Sequence, residues 1–384
     1  MSKFLKTLIT ITLALCLSVV FIACDNDEDT QTDGDATTGE FVYELETGED
    51  EDGEEYEYYK ITGYTVTSDD ALKMAQGDFS TVEGKREIVI ENEYNGKPVE
   101  EIAAGAFADR IIITKISFKE DTNIKTIGAG AFSGCANLEE IENLPFVGKS
   151  VDAVGQERVL GFAFGSGSAV GGLVSVSAKA YNEESSTSLT FEFPEKLKKI
   201  SVTSDRIPEC AFFGMSMLEE VTFANATYIG ASAFNGCVKL VDMDLSSVTF
   251  INASAFAGCT AIQRVKFADN LTHIGASAFS GCYSLGWNNA TDSEAVVTVK
   301  IPDSVTYLGS KAFSDCTLLK YIVLGSGITE IKTGTFANCT DLVKVTANDG
   351  ITVQLSAFVG CAKDNLKLNG ATPSDLAFGE YPIA

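Results

Sequence analysis

The strongest constraint on the fold of this chain is a six-residue motif that recurs along it with small changes. The clearest copies are SAFNGC (232–237), SAFAGC (254–259), SAFSGC (277–282) and KAFSDC (311–316). A phenylalanine marks each repeat, at Phe107, Phe132, Phe212, Phe234, Phe256, Phe279, Phe313, Phe336 and Phe358. Most markers lie 22 or 23 residues apart, and longer gaps follow Phe132 and Phe279. This period predicts a solenoid, in which each unit buries its apolar face only by stacking on its neighbours.

One unit, TYIGASAFNGCVKLVDMDLSSV (227–248), predicts the path of a single coil. The segment LVDMDL (240–245) alternates apolar and polar residues, as a strand with one buried face does. The segment ASAFNGC (231–237) is too short for a stable helix, so we expect one helical turn there. The sequence therefore predicts a leucine-rich-repeat solenoid of the α/β class. We expect a right-handed superhelix with short parallel strands and one helical turn in each 22–23-residue repeat.

The repeat pattern L-x-x-V-x-x…I-G-x-x-A-F-x-G-C resembles the BspA-like leucine-rich repeats of bacterial surface proteins. The segments IVIENEYNGKPVEEIAAGAF (88–107) and IPDSV (301–305) are similar to the entry and strand exit of that family. LPFVGKSVDAVGQERVLGFAFG (144–165) resembles a module that interrupts repeats in some members. The resemblance implies a repeat domain over residues 56–384, with an insertion at about 144–200.

Cysteine follows the marker phenylalanine by three residues in most repeats. In-register side chains point the same way, whereas a disulfide needs two Cβ atoms that converge. We do not expect these cysteines to bind a column of metal ions, because the chain offers neither a C-x-x-C motif nor a histidine partner for them. We therefore predict free, buried thiols that donate weak hydrogen bonds to loop carbonyls. The residues are Cys135, Cys237, Cys259, Cys282, Cys316, Cys339 and Cys361.

The first residues predict an exported, lipid-anchored protein. Residues 1–23 have two lysines followed by a short apolar run, which is typical of a signal peptide. FIAC (21–24) resembles a lipoprotein lipobox, which implies lipidation of Cys24 and a membrane contact through that lipid. The acidic segment 24–55 predicts a disordered tether. We expect a lipoprotein of the outer membrane that faces the cell exterior.

Charge and composition exclude several classes of function. The formal net charge of −26 argues against nucleic-acid partners, which need a basic surface. The one histidine, His273, occupies the repeat slot that holds Tyr228 and Tyr307 in other units, so we interpret it as a surface position. No catalytic or cofactor-binding motif is present. The sequence thus predicts a protein that is not an enzyme and has no metal or cofactor.

The residues between the buried strand positions define a candidate binding face. We predict an acidic first half and a basic second half. The acidic residues are Glu139, Glu140, Glu142, Glu219, Glu220, Asp242 and Asp244. The residues of the second half are Arg264, Lys266, Lys300, Lys320, Tyr321 and Lys344, with Lys367 last.

Three functions stay open at this point. The family resemblance implies adhesion, with binding to host matrix proteins or other cells. A glycan-capture lipoprotein that assists nutrient uptake is the alternative, but it needs exposed aromatic residues and the strands offer mainly Tyr321. An enzyme is the second alternative, with its site in the 144–200 insertion. That site would need clustered carboxylates, and the insertion supplies scattered ones: Asp152, Glu157, Glu183 and Glu184.

Overall fold

Each repeat contributes one strand to each of two columns, and together the columns build the predicted repeat solenoid. The computed structural model describes residues 40–66, 86–145, 160–165, 171–179, 188–287 and 297–379. Strands are numbered in chain order. Those outside the columns are β1 (Phe41–Glu49), β2 (Glu55–Tyr64), β4 (Glu93–Tyr94), β9 (Leu173–Lys179) and β10 (Ser188–Pro194).

The first column consists of one strand before the first motif and of the strands that follow the turn in each coil, and its members pair in parallel within three sheets. Buried and outward-facing residues alternate along its strands, as the pattern LVDMDL predicts. Its members are β3 (Arg86–Ile90), β6 (Ile113–Phe118), β8 (Glu140–Leu144), β11 (Lys199–Val202), β13 (Glu220–Phe223), β15 (Asp242–Leu245), β17 (Arg264–Phe267), β19 (Thr298–Lys300), β21 (Tyr321–Val323), β23 (Lys344–Thr346) and β25 (Lys367–Leu368).

The second column is made of shorter parallel strands that lie just before each motif. Most contain only two residues, because a turn follows at once. The members are β5 (Lys97–Ile102), β7 (Thr126–Ile127), β12 (Arg206–Ile207), β14 (Tyr228–Ile229), β16 (Phe250–Ile251), β18 (His273–Ile274), β20 (Tyr307–Leu308), β22 (Glu330–Ile331) and β24 (Thr352–Val353).

The marker phenylalanines fill the space between the columns, and all nine are fully buried. From Phe212 to Phe358 each ring stacks on the next, with centroids 4.9 to 6.0 Å apart. Phe378, in a 3₁₀ turn at Asp375–Phe378, packs on Phe358 and closes this end of the stack. The core therefore runs through successive coils, as the period predicts.

The repeat cysteines form a second internal column. The Cys237 thiol donates to the Phe212 carbonyl at 3.1 Å, and the Cys259 thiol donates to the Phe234 carbonyl at 3.0 Å. Burial raises the pKa of Cys259 to about 12. The same bond to the preceding coil is made by Cys135, Cys282, Cys316, Cys339 and Cys361. The prediction of free thiols that donate to loop carbonyls is confirmed for all seven, and six of them are buried, whereas Cys361 is half-buried.

The motif itself forms turns, so the predicted helical turn in each repeat and the α/β class are wrong. Ser232 (φ 55°) and Gly236 (φ 79°) lie in the left-handed region, which a right-handed helix does not enter. The Phe234 amide donates to the Ala255 carbonyl of the next coil at 2.7 Å, and the Gly236 amide donates to Ala257 at 2.8 Å. Because alternate amides bond between coils, the i→i−4 bonds of an α-helix cannot form.

The β1–β2 hairpin covers the first coil, which corrects the predicted tether. The Phe41 ring packs edge-on against Tyr64 at 5.3 Å and Phe107 at 6.0 Å. The tether prediction is therefore wrong for residues 41–55, where alternate aromatic residues pack on the coil despite the acidic residues between them. Residues 24–39 lie outside the described part of the chain.

A coil that the markers missed lies inside the predicted insertion. Its short helix α1 (Gly161–Phe164) occupies the place of the motif, and the Phe132 amide donates to the Ala163 carbonyl at 2.8 Å. Phe164 is buried and packs against Phe132 at 5.9 Å and Phe193 at 5.2 Å. The stretch LGFAFG therefore continues the core between the first two repeats and the later ones.

Candidate binding face

The strand face is the solvent-facing side of the first column, and its residues align from strand to strand. Pairing places Lys115 opposite Glu140, and Lys199 opposite both Glu140 and Glu220. These residues do not lie next to one another in sequence, since they come from coils more than 20 residues apart. From β6 to β13 the face therefore carries charges that alternate in sign from one strand to the next.

Lys115 lies between two of the predicted acidic residues. Its Nζ atom is 2.6 Å from Glu142 Oε1 and 3.7 Å from Glu140 Oε2, and the Ser117 hydroxyl donates to Glu142 at 2.9 Å. The hydrogen bond from Lys115 lowers the pKa of Glu142, and the same bond raises the pKa of Lys115. This group is half-buried and holds a neighbouring pair of coils in register.

The predicted acidic half is wrong, because lysines that the sequence analysis did not include neutralise it. Lys198 pairs with Glu219 at 3.0 Å, and Lys199 pairs with Glu220 at 3.4 Å. Glu139 is exposed just before β8. The signal was present in the sequence, since ITKISF (113–118) and KKISV (198–202) carry lysine at the outward positions of their strands.

Four predicted residues from opposite halves meet in adjacent strands. Arg264 Nε donates to Asp242 Oδ1 at 2.9 Å, and Lys266 Nζ is 3.2 Å from Asp244 Oδ2. A hydrogen bond from Ser246, together with Lys266, lowers the pKa of Asp244. These pairs are exposed, so they contribute little to stability. Because each cation is neutralised by an aspartate of the adjacent strand, Arg264 and Lys266 do not form the basic surface that we predicted.

The remaining predicted residues lie together on the last four strands. Tyr321 is opposite Lys344, which is opposite Lys367, and Lys300 is opposite Val323. Lys300, Lys320 and Lys344 are exposed, whereas Tyr321 is half-buried. This part of the strand face has several cations and, among the described residues of its strands, no acid.

Aromatic rings stack along the outside of the second strand column, and the sequence alone did not predict this stack. Tyr228, Phe250, His273 and Tyr307 stack in order, with centroids 5.3, 4.1 and 4.3 Å apart. Arg206 lies 3.9 Å from the centre of the Tyr228 ring, and Lys332 lies 3.6 Å from that of Tyr307. The repeat slot shared by His273 and two tyrosines was recognised, but Phe250 was not. Because every ring face is covered, the column stabilises the coils and offers no flat aromatic platform to a sugar.

Replacing His273 by tyrosine is expected to reduce the loss of stability on acidification. Burial, together with the nearby Lys332 ammonium, lowers the pKa of His273. The unfolded chain then binds a proton more readily than the folded one, so the free energy of unfolding falls as pH drops below about 6.5. Urea unfolding of both proteins at pH 8 and pH 5.5 tests this. If the free energy of unfolding fell equally in both proteins between pH 8 and pH 5.5, His273 would not be the source of the acid sensitivity.

The described ranges do not bring together the residues of a metal site or a membrane span. No group of three or more His, Cys, Asp or Glu residues there is placed to hold a metal ion. The scattered carboxylates Asp152, Glu157, Glu183 and Glu184 lie outside those ranges. In the part of the chain that the structure covers, no helix is both long and apolar enough to cross a membrane.

Solved structures that match the chain come from several bacteria. A leucine-rich cell surface protein from Faecalibacterium prausnitzii is 18% identical, covers 90% of this chain and 77% of its own, and has a TM-score of 0.38. A leucine-rich repeat protein from Bacteroides ovatus is 16% identical, with 86% and 98% covered and a TM-score of 0.40. The leucine-rich repeat protein of T. pallidum is 20% identical, with 87% and 90% covered and a TM-score of 0.24.

Sequence comparison identifies the family directly. No curated protein matches the chain. The profile of the BspA type leucine rich repeat region matches in six copies, over residues 61–153, 174–293 and 288–367. These matches cover more than half of the chain and include the strands of both columns. The chain belongs to the BspA-type leucine-rich repeat family.

Proposed function

We propose that this protein is a cell-surface binding module that attaches to another protein through its strand face. The observation that supports this is the contrast between the inside and the outside of the coils. The buried phenylalanine and thiol repeat almost unchanged, whereas the outward residues differ from strand to strand. A scaffold with a constant core and a variable, extended face is suited to macromolecular recognition.

The aromatic residues of the two strand columns favour a protein partner over a glycan. Sugar recognition needs exposed ring faces, but the faces in the Tyr228–Tyr307 column are covered by neighbouring rings and by two cations. Tyr321 is the aromatic residue on the last strands of the strand face, and it is half-buried. Adhesion to matrix proteins or to other cells is the role that we propose for this surface. The family supports a binding scaffold rather than an enzyme.

Binding by the purified full chain to panels of matrix proteins and glycans tests the proposal. A face variant, Thr222→Trp with Thr346→Trp, is compared with a control that adds the same bulk at exposed turn positions, Val238→Trp with Val359→Trp. For a matrix protein that the unmodified chain binds, we expect the affinity to fall at least tenfold in the face variant and to stay unchanged in the control. Equal binding by both variants, or binding to glycans only, would refute the proposal.

Surface attachment through Cys24 is a separate part of the proposal. The apolar run and FIAC sequence before Cys24 support export and lipidation. An acyl chain would hold the protein at the outer membrane, and the acidic residues after Cys24 are compatible with transfer to the exterior. Cys24→Ala should release the protein from the membrane fraction, and protease treatment of intact cells should degrade the unmodified protein. Retention of the variant in the membrane would contradict lipid anchoring.

A further inference from the structure

The last four strands of the strand face differ from those before them in how their charges are balanced. Up to β17, lysines and an arginine on this face pair with carboxylates of neighbouring coils. From β19 to β25 the lysines of this face no longer form such pairs with carboxylates. Among the described residues, Lys300, Lys320 and Lys344 have no carboxylate within 4.0 Å. We call Lys300, Lys320, Tyr321, Lys344 and Lys367 the lysine surface.

Strand register brings the lysine surface together. β19, β21, β23 and β25 are adjacent and in register, so Lys344 lies directly opposite Lys367. Like charges opposite each other on neighbouring strands destabilise a sheet. Lys367 donates a hydrogen bond to the Thr372 hydroxyl at 2.7 Å, which leaves its charge uncompensated. The fold gains no ion pair from these lysines, whereas earlier strands use theirs to join coils.

The neighbours of the lysines are apolar or neutral. Val323 and Thr346 are half-buried on the same strands, and Val343, 37% exposed, precedes Lys344. Tyr321 is opposite Lys344 across the strand pair. Ammonium groups beside small apolar side chains match a polypeptide in which carboxylates alternate with apolar residues. Because a carboxylate has two oxygens that each accept hydrogen bonds, one carboxylate can bridge two adjacent lysines.

The dimensions and the overall charge favour a short acidic ligand. Four strands at about 4.8 Å spacing span about 14 Å. The chain carries a net charge of −26, and Asp242 and Asp244 lie on the face before this surface. A long, uniform polyanion such as a sulfated glycan would extend from the lysine surface over these acidic residues. A peptide segment of a few acidic residues would contact the lysines alone.

We propose that the lysine surface binds an acidic segment of a partner polypeptide. This inference rests on the proposed function, since it names the chemistry of the protein partner. Binding would depend on carboxylates of the partner and would weaken as salt screens the ion pairs. The aromatic and valine side chains would contact apolar residues placed between the carboxylates.

A fluorescent twelve-residue peptide that alternates glutamate with valine or tyrosine is the probe, used with the purified full chain. The charge-reversed variant Lys300→Glu with Lys344→Glu is compared with Lys239→Glu with Lys311→Glu, which changes the net charge equally at exposed turn positions. We expect at least tenfold weaker binding in the first variant and less than a twofold change in the second. A glutamine version of the peptide should also bind at least tenfold more weakly. Thermal unfolding checks that both variants fold.

Three results would overturn the inference. They are equal binding of the glutamate and glutamine peptides, equal losses in the two variants, and tighter binding of a heparin oligosaccharide than of the acidic peptide. If the matrix-protein assay still shows a loss in the Thr222→Trp, Thr346→Trp variant, only the partner chemistry fails. If that assay shows no loss either, the proposed function fails as well.

Discussion

Replacing Phe256 by alanine is expected to lower the free energy of unfolding by about 3–5 kcal/mol. The Phe256 ring is fully buried and stacks at 5.1 Å on both Phe234 and Phe279. Its removal leaves a cavity between two coils whose backbones are already joined by hydrogen bonds, so the gap cannot close by simple collapse. Urea unfolding followed by circular dichroism measures the effect.

Phe250→Ala is the matched control for that experiment. Phe250 comes from the same coil and also stacks on two rings, Tyr228 and His273, but it is only half-buried. We expect its loss to cost less than half as much as the loss of Phe256. If the two variants were equally destabilised, the inner phenylalanine column would not be the main core of the solenoid.

Replacing Phe164 by alanine is expected to cost a similar amount, about 3–5 kcal/mol, and also to change the form of the unfolding transition. Phe164 packs between Phe132 of the preceding repeat and Phe193 of β10. The Leu160 amide of the same coil donates to the Ala211 carbonyl of the next repeat at 2.9 Å, so this coil joins the coils on either side of the predicted insertion. Once this contact is lost, the two sets of coils should unfold at different urea concentrations, because a solenoid is stabilised by contacts between neighbours.

The single tryptophan makes this uncoupling measurable. Trp287 lies in the later coils, so its fluorescence reports on them, whereas circular dichroism reports on all strands. The two signals should coincide in the unmodified protein and separate in the Phe164→Ala protein. In the control Phe162→Ala, at a half-buried neighbouring position, the fluorescence and circular-dichroism transitions should still coincide. Coincident transitions in Phe164→Ala would show that this coil does not connect the two parts.

The interior of the fold could be predicted from sequence because it is a local, repeated pattern. Each motif places alanine, phenylalanine and cysteine at fixed separations, so the burial of one copy implies the burial of the next. The thiol-to-carbonyl bond followed from the small size and weak donor character of cysteine. Phe164 was missed although AFG resembles the motif, because no cysteine follows it and the surrounding residues interrupt the period.

The surface was harder to predict because its interactions cross between coils. Lys115 and Glu142 are 27 residues apart in sequence, and only the strand register shows that they meet. The turn at Ser232 also needed the backbone, since its left-handed conformation is not evident from the residue type. Composition misled for residues 41–55, where acidic residues conceal an alternating aromatic pattern that packs on the first coil.

The measurement that tests the central claim most directly is the alkylation of cysteines in the folded protein, mapped by mass spectrometry. A cysteine introduced on the strand face, Lys300→Cys, supplies the exposed reference. Iodoacetamide at pH 8 should modify this cysteine rapidly and should leave Cys282 and Cys316 unmodified until the protein unfolds, because burial raises the pKa of both thiols and the core excludes the reagent. After unfolding without reductant, both should react fully. If the repeat cysteines reacted as fast as the introduced one in the folded protein, or stayed blocked after unfolding, the stacked coils with an internal thiol column would be contradicted.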